Sequence, residues 1–188
     1  MNILTILGGP RKKGSTARML SVLEDHLKSL NHSVDRINVT DYDISGCISC
    51  YKCLKEINAP GCSQKDDAMK IFDRMINSDV IIYSTPLYCW SWAAQIKPLV
   101  DRHYCLVKNY GSKQHKSFLE TKKSALVVTC GGPLENNADI LVTAYNHLMH
   151  YCKVKEFHNL VIPFCASPNS INASHEDQAR RLAETLVV

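Results

Sequence analysis

The sequence lacks any uninterrupted apolar run near the roughly 20 residues that a membrane-spanning helix needs. It also lacks a strong excess of one charge. Its 22 Lys and Arg residues against 18 Asp and Glu residues give a formal net charge of +4, which is too mild and too scattered to indicate nucleic-acid binding. Internal repeats and low-complexity tracts are absent as well. We therefore expect a protein that binds neither membranes nor nucleic acids.

The N-terminus lacks the features of a secretory leader. The stretch MNILTILGG has no basic segment and runs directly into a glycine turn where a leader would have a cleavage site. We therefore expect a cytoplasmic protein whose cysteines stay reduced. The 188 residues, 45% hydrophobic and 21% charged, suffice for one buried core but not for two, so we predict a single domain over residues 1–188.

Several catalytic motifs are also missing. The chain has no G-x-S-x-G elbow, and none of its eight histidines has a convincing metal-binding spacing. Gly9 and Gly14 have the separation of a Walker A loop, but Ser15 follows where that motif needs a lysine. A Rossmann glycine pattern fails too, since positions 10 and 11 are not glycine. The sequence therefore predicts no dedicated catalytic acid or base.

Strand and helix patterns alternate along the chain, which predicts an α/β fold with helices on both faces of a parallel sheet. A helix is expected from about Ala93 to Leu106, with Pro98 near its first turn. For five strands the simplest arrangement is the doubly wound, flavodoxin-like order 2-1-3-4-5. The predicted strands are NILTIL, HSVDRINV, DVIIYSTPLY, SALVVTCGG and FHNLVIPF.

The loop after the first strand, GGPRKKGSTARM, has the composition of a phosphate site. Gly8, Gly9 and Gly14 let the backbone approach an anion closely. Ser15 and Thr16 offer hydroxyls, and the following helix N-terminus offers free amides. The pattern favours a phosphate monoester over a pyrophosphate. A plain strand-to-helix turn capped by Ser15 is the alternative.

Two further loops should reach the same edge of the sheet, where parallel strands end. The loop STPLYCWSW places four large apolar residues around a proline: Leu87, Tyr88, Trp90 and Trp92. Such a cluster favours a wall for a flat ring system, with core packing or a subunit contact as the alternative. The loop TCGGP exposes backbone amides for the polar edge of that ring, or is simply a turn.

Together, GGPRKKGST, STPLYCWSWAAQIKPLVDR and TCGG resemble the NADPH-dependent FMN reductases and related flavodoxin-fold flavoproteins, and IKPLVDR is the most specific match. The resemblance covers Met1 to about Pro133. In that family, a serine and an asparagine stand where this chain has Gly9 and Ser15. The resemblance implies FMN as cofactor and NAD(P)H as co-substrate. The implied phosphate-binding residues are Gly9, Arg11, Gly14, Ser15 and Thr16, and the implied ring-binding residues are Pro86, Leu87, Tyr88, Cys89, Trp90, Gly131 and Gly132.

The cysteine-rich loop at residues 46–65 carries a separate motif. Cys47, Cys50 and Cys53 repeat every third residue, and Cys62 follows after eight others. The motif resembles that of the iron–sulfur flavoproteins, a branch of the same family, in which the fourth cysteine usually follows sooner. The resemblance implies a [4Fe–4S] cluster on these four thiolates. Structural zinc, and free or oxidised thiols, are the alternatives. The other five cysteines are predicted to be small core residues: Cys89, Cys105, Cys130, Cys152 and Cys165.

These features support three hypotheses of function. The first is an FMN-dependent oxidoreductase that passes electrons from NAD(P)H to a flavin, quinone or other small acceptor, through the cluster where one is present. The second is a non-enzymatic iron–sulfur flavoprotein that accepts electrons from a ferredoxin-like partner. The third is a zinc-stabilised interaction domain. The family resemblance further implies a homodimer or homotetramer.

Overall fold

In a computed structural model, which describes residues 1–188, the chain forms a five-stranded parallel sheet. In chain order the strands are β1 (Asn2–Leu7), β2 (Ser33–Asn38), β3 (Val80–Pro86), β4 (Val107–Lys108), β5 (Lys116–Ser117), β6 (Lys123–Thr129) and β7 (Glu156–Ile162). The sheet order is β2-β1-β3-β6-β7, while β4 and β5 form a separate antiparallel pair. The predicted five-stranded α/β topology is therefore confirmed, with the short β4–β5 pair as an addition.

Helices cover both faces of the sheet. They are α1 (Ser15–Ser29), α2 (Ala68–Ile76), α3 (Lys97–Asp101), α4 (Asp139–Tyr151) and α5 (Ala173–Val187). Helices α1 and α5 pack on one face, and α2, α3 and α4 on the other. The predicted helix from Ala93 to Leu106 is shorter than expected: α3 begins next to Pro98 and continues as a 3-10 turn over Arg102–Leu106. No helix is both long and apolar enough to cross a membrane.

The strand pleat divides the core between the two faces. In β1, Leu4 and Ile6 face α2, α3 and α4, whereas Ile3 and Leu7 face α1 and α5. All four are essentially inaccessible to solvent. Full burial of one such side chain contributes about 1.5–3 kcal/mol, so the two cores hold the ends of the strands in a fixed frame. The starting points of the loops that follow these strands are therefore fixed as well.

His103, just after α3, is fully buried and neutral. Its Nδ1–H donates to the carbonyl oxygen of Leu99 at 3.0 Å, so its Nε2 accepts from the Tyr83 hydroxyl at 2.8 Å. Burial lowers the pKa of His103 to about 4. An unfolded histidine titrates near 6.5, so between about pH 6.5 and pH 4 the unfolded chain binds a proton that the folded chain does not. Stability should therefore fall as the pH drops through this window.

We predict that the free energy of unfolding falls by roughly 2 kcal/mol between pH 7 and pH 5 because of His103 alone, since this residue gains a proton only when the chain unfolds. The variant His103→Gln has no titrating group at this position and should lose correspondingly less over the same interval. Urea unfolding of both proteins at the two pH values measures the difference. Equal losses in the two proteins would contradict the assignment.

Candidate functional site

The loop between β1 and α1 packs so closely on β3 that glycine is required at two positions. A Cβ atom on Gly8 would lie 2.8 Å from the Ser84 carbonyl oxygen, and one on Gly9 would lie 2.7 Å from Cδ of Pro86. The chain then enters α1 at Gly14, which provides no side-chain cap. The first backbone amides of α1 are therefore left for a ligand.

The electrostatics of this loop favour an anion. The first turn of α1 contains no acidic residue, so the partial positive charge of the helix N-terminus is not neutralised there. Arg11 lines the adjacent cavity. Its neighbour Lys12 pairs instead with Asp41, in the short 3-10 turn Val39–Asp41 that directly follows β2. Arg11 is thus the basic residue of this run that faces the site.

A side-chain hydrogen bond joins the first loop to the end of β6. The hydroxyls of Thr16 and Thr129 lie 2.6 Å apart, and both residues are buried. This contact fixes the N-terminus of α1 against the sheet edge although 113 positions separate the two residues. Thr129 was not among the predicted site residues. Its position as the first residue of the predicted loop TCGGP, at the ligand edge of the sheet, was the signal that could have identified it.

The loops after β1, β3 and β6 converge on one cavity of about 150 Å³. It brings together nine residues that the sequence analysis assigned to the cofactor: Gly9, Arg11, Gly14, Ser15, Thr16, Pro86, Leu87, Tyr88 and Gly131. Five residues without that assignment also line it: Pro10, Thr129, Cys130, Cys165 and Ala166. The convergence of distant segments at the carboxyl ends of the strands is the arrangement expected of a ligand site in this fold.

Cys89 and Trp90 do not line the cavity but form the tip of a tight turn beside it. Tyr88 and Ser91 exchange backbone hydrogen bonds of 3.2 and 3.0 Å across the turn. The two residues between them have φ values of 47° and 60°, a left-handed conformation that costs non-glycine residues energy and recurs at functional sites. Cys89 is exposed, so the prediction that it is a core residue is wrong. Trp90 is exposed as well.

Gly132, the remaining predicted residue, does not line the cavity either. A Cβ atom there would lie 2.9 Å from Nδ2 of Asn137. Its carbonyl oxygen accepts a hydrogen bond from the Phe164 amide at 3.3 Å. The structure therefore gives Gly132 a packing role at the base of the loop.

A fourth loop, after β7, reaches the cavity and was missed. Cys165 and Ala166 line it, and the Cys165 amide donates to the Cys130 carbonyl oxygen at 2.7 Å. The segment FCASP carries no glycine pattern or basic residue that would have marked it. Both cysteines are buried, as predicted, but their side chains border the site.

The four motif cysteines line a second, larger cavity of about 380 Å³. Cys47 and Cys50 are exposed, Cys62 is half-buried and Cys53 is buried, and all four are free thiols. Their side chains are not drawn together as ligands around a single metal ion. A fifth cysteine, Cys105, also lines this cavity, and burial raises its pKa to about 12.

The thiols of this cavity differ in their surroundings. A hydrogen bond with the Ser63 hydroxyl, at 3.3 Å, lowers the pKa of Cys50, and backbone contacts act in the same direction. Burial raises the pKa of Cys53. Ser49 and Tyr51, on either side of Cys50, both have positive φ values, 51° and 55°. A left-handed backbone at non-glycine residues costs energy and recurs at functional sites.

A buried ion pair anchors the cysteine loop to the rest of the fold. The Arg102 guanidinium donates from Nη1 to the Asp66 carboxylate and, at 3.2 Å, to the Ser45 carbonyl oxygen. It also donates from Nη2 to Sγ of Cys62 at 3.3 Å. Burial disfavours the charged form of Asp66, but the bonds from Arg102 and from the amides of Ser45 and Ala68 hold its pKa below the ordinary value. Both members of the pair therefore stay charged.

Comparison with known proteins identifies the family. The model of the family described as NADPH-dependent FMN reductase matches residues 1–161. An iron–sulfur flavoprotein of Archaeoglobus fulgidus is 37% identical over 102 residues, which are 54% of this chain and 48% of that protein. One of Methanosarcina thermophila is 24% identical over 150 residues, 80% of this chain and 73% of that protein. The match spans only about half the length of the first of these relatives.

Solved structures resemble the whole fold at low sequence identity. An NAD(P)H:quinone oxidoreductase from Methanothermobacter marburgensis has a TM-score of 0.77 and 18% identity, covering 100% of this chain and 96% of that one. An FMN-dependent NADH-azoreductase from Bacillus anthracis in complex with FMN has a TM-score of 0.73 and 13% identity, and the match covers 100% of this chain and 100% of that one. These likenesses establish the flavodoxin-like fold. With the family model covering most of the sequence, the chain belongs to the NADPH-dependent FMN reductase family.

Proposed function

We propose that this protein is an FMN-dependent oxidoreductase that passes electrons from NAD(P)H to a flavin, quinone or other small acceptor, with a [4Fe–4S] cluster held by the cysteine loop. The convergence of the loops after β1, β3 and β6 on one cavity carries the proposal. At about 150 Å³ that cavity suits the phosphate end of FMN and not the whole molecule, since drug-sized ligands occupy roughly 300–1,000 Å³.

The phosphate would be held at the start of α1. Arg11 supplies positive charge, Ser15 and Thr16 supply hydroxyl donors, and the uncapped amides after Gly14 supply the rest. Gly9 keeps this space clear because any side chain there would collide with Pro86. The donor set therefore matches a dianionic phosphate monoester.

The flavin ring would lie beyond the cavity mouth, along the loop after β3. Leu87 and Tyr88 line the mouth, and the exposed Trp90 stands beside it with Cys89. Gly131 lines the cavity, a Cβ atom there would meet no neighbouring atom within 4 Å, and its backbone amide would serve the polar edge of the ring. FMN supplies hydride acceptance from the nicotinamide and release of electrons in ones or twos. The protein's contribution is to bind and orient the ring, which agrees with the lack of a predicted acid or base.

The cluster assignment depends on the donor chemistry of the second cavity. Cys47, Cys50, Cys53 and Cys62 all line one cavity, and four thiolates are the number that a cluster with one thiolate per iron requires. Two relatives named iron–sulfur flavoprotein are 37% and 24% identical to this chain over 102 and 150 residues, which supports the assignment. Iron and acid-labile sulfide analysis of anaerobically purified protein, with its visible spectrum, tests this part. Zinc in place of iron, or no metal, would contradict it.

Stopped-flow mixing with NADPH tests the enzymatic assignment. We expect anaerobic NADPH, or NADH if that is the preferred nucleotide, to bleach the flavin absorbance of the FMN-loaded protein within a turnover. A quinone added afterwards should restore the colour. If neither nucleotide bleaches the flavin while reduced ferredoxin does, the protein is an electron carrier and the enzymatic proposal is wrong. Protein purified with no affinity for flavin would instead favour an interaction domain.

A further inference from the structure

Arg102 has an unused hydrogen-bond donor at the cysteine cavity. The residue lines that cavity, and its side chain is only 1% exposed. Its Nη1 and Nη2 atoms are occupied by Asp66, Ser45 and Cys62, but its Nε–H has no partner. A buried donor without a partner costs about 1–3 kcal/mol. Such a group is explained most simply by a ligand that accepts a hydrogen bond from it.

Lys108, in β4, is a second buried cation beside the same loop. Its side chain is nearly inaccessible, and Nζ donates to the carbonyl oxygens of Cys53 at 2.8 Å and Pro60 at 3.1 Å. Both acceptors belong to the cysteine loop and neither carries a charge. Glu56 acts on Lys108 only through space. The ammonium group is therefore buried with no carboxylate in contact.

The charges around the cysteine cavity do not balance. Arg102 lines the cavity, and Lys108 lies behind the cysteine loop and bonds it. The one carboxylate in contact with either buried cation is Asp66, which pairs with Arg102. Apart from Arg102, the cavity lining has one residue with a charged side chain, Asp101, which is half exposed and pairs with Lys97 on its own helix. Burying an uncompensated charge is costly. An anionic occupant of the cavity would supply the missing negative charge.

We propose that Arg102 and Lys108 are positioning residues that supply the positive countercharge for an anionic metal–thiolate centre on Cys47, Cys50, Cys53 and Cys62. The inference rests on the cluster in the proposed function. Arg102 donates to the sulfur of Cys62 and keeps Nε–H for the sulfur of the centre, while Lys108 holds the loop through two carbonyl oxygens. Positive charge and N–H donors next to such a centre favour its more negative, reduced form and thus raise its reduction potential.

The test uses the full-length, FMN-loaded protein reconstituted anaerobically with ferrous iron and sulfide. Lys108→Met should shift the midpoint potential of the centre to a more negative value and speed iron release to a chelator by roughly 10-fold. Lys108→Arg, which keeps the charge, should restore the potential toward that of the wild type. Arg102→Lys keeps the charge but loses the planar set of donors, and should speed iron release.

The matched control is Lys123→Met. Lys123 is also largely buried, at the opposite end of the sheet, where it bonds Glu156 and the C-terminal residue Val188. Its replacement should leave both the potential and the iron release unchanged. If Lys108→Met lowers thermal stability but moves neither readout, Lys108 is merely structural and the inference is overturned. If Lys108→Met does not fold, an unchanged iron-release rate in Arg102→Lys overturns it.

Failure of the inference differs from failure of the proposed function. A wild-type protein that binds FMN but takes up no iron and sulfide shows that the cluster assignment is wrong, and the inference is then overturned with it. A wild-type protein that holds the centre while its Lys108 and Arg102 variants match it in potential and iron release overturns the inference alone.

Discussion

Replacing Asp66 by alanine is expected to lower the free energy of unfolding by about 3–5 kcal/mol, because it leaves a charged guanidinium buried without its partner. Arg102 and the Asp66 side chain are 1% and 5% exposed. The carboxylate also accepts hydrogen bonds from the amides of Ser45 and Ala68, so its loss releases both the cysteine loop and the start of α2. Denaturant unfolding of the apoprotein measures the effect.

Two comparisons isolate the buried charge as the cause. Asp177→Ala removes a carboxylate from an exposed pair with Arg180, and exposed pairs contribute only about 0–1 kcal/mol. The double variant Asp66→Ala with Arg102→Met removes both charges and should be more stable than Asp66→Ala alone. A loss for Asp66→Ala no larger than that for Asp177→Ala would show that the pair does not hold the loop.

Removing both hydroxyls at the start of α1 should weaken FMN binding by about 100-fold or more. The double variant Ser15→Ala and Thr16→Val keeps the volume of the site but deletes two donors to a charged phosphate, each of which contributes about 1.5–3 kcal/mol. Both residues are buried and line the cavity. Fluorescence titration of the apoprotein with FMN measures the dissociation constant.

Riboflavin, which lacks the phosphate, is the matched ligand for this variant. Its affinity should be nearly the same for the double variant and the wild type, since the proposal assigns the deleted hydroxyls to the phosphate and not to the ring. The Thr16 change also breaks the bond to Thr129, so a thermal melt must confirm that the variant is folded. An equal loss of affinity for FMN and riboflavin would place the two hydroxyls away from the phosphate.

The sheet and the loops at its edge could be predicted because their causes are local. Apolar runs such as that from Val80 to Tyr83 are buried on both faces and mark a central strand. The chain direction of parallel strands then sends the loops after β1, β3 and β6 to one edge without further information. Nine of the assigned cofactor residues meet in one cavity for that reason.

The remaining features depend on contacts between distant parts of the chain. Thr129 meets Thr16, and the loop after β7 reaches the cavity through the bond from Cys165 to Cys130. No local pattern specifies these approaches. Gly132 and Trp90 were assigned to the site because their neighbours in sequence were. In the structure Gly132 packs against Asn137, and Trp90 lies at the tip of a tight turn, so neither lines the cavity.

The cysteine loop, too, has one feature that the sequence predicts and one that depends on distant contacts. The spacing of Cys47, Cys50 and Cys53 indicated a metal-binding motif, and in the structure all three residues line one cavity. The cations beside it were not foreseen, because Arg102 and Lys108 lie about 40 or more positions further along the chain. Their burial is a tertiary effect, since lysine and arginine are rarely buried unless paired.

Comparative titration of the apoprotein with FMN and riboflavin tests the central claim most directly: the loops at the carboxyl ends of the strands form a site for a flavin phosphate. The account predicts heat release and fluorescence change on FMN addition at one site per chain, with riboflavin at least about 100-fold weaker. Equal affinity for the two flavins, or no response to FMN from correctly folded apoprotein, would contradict it.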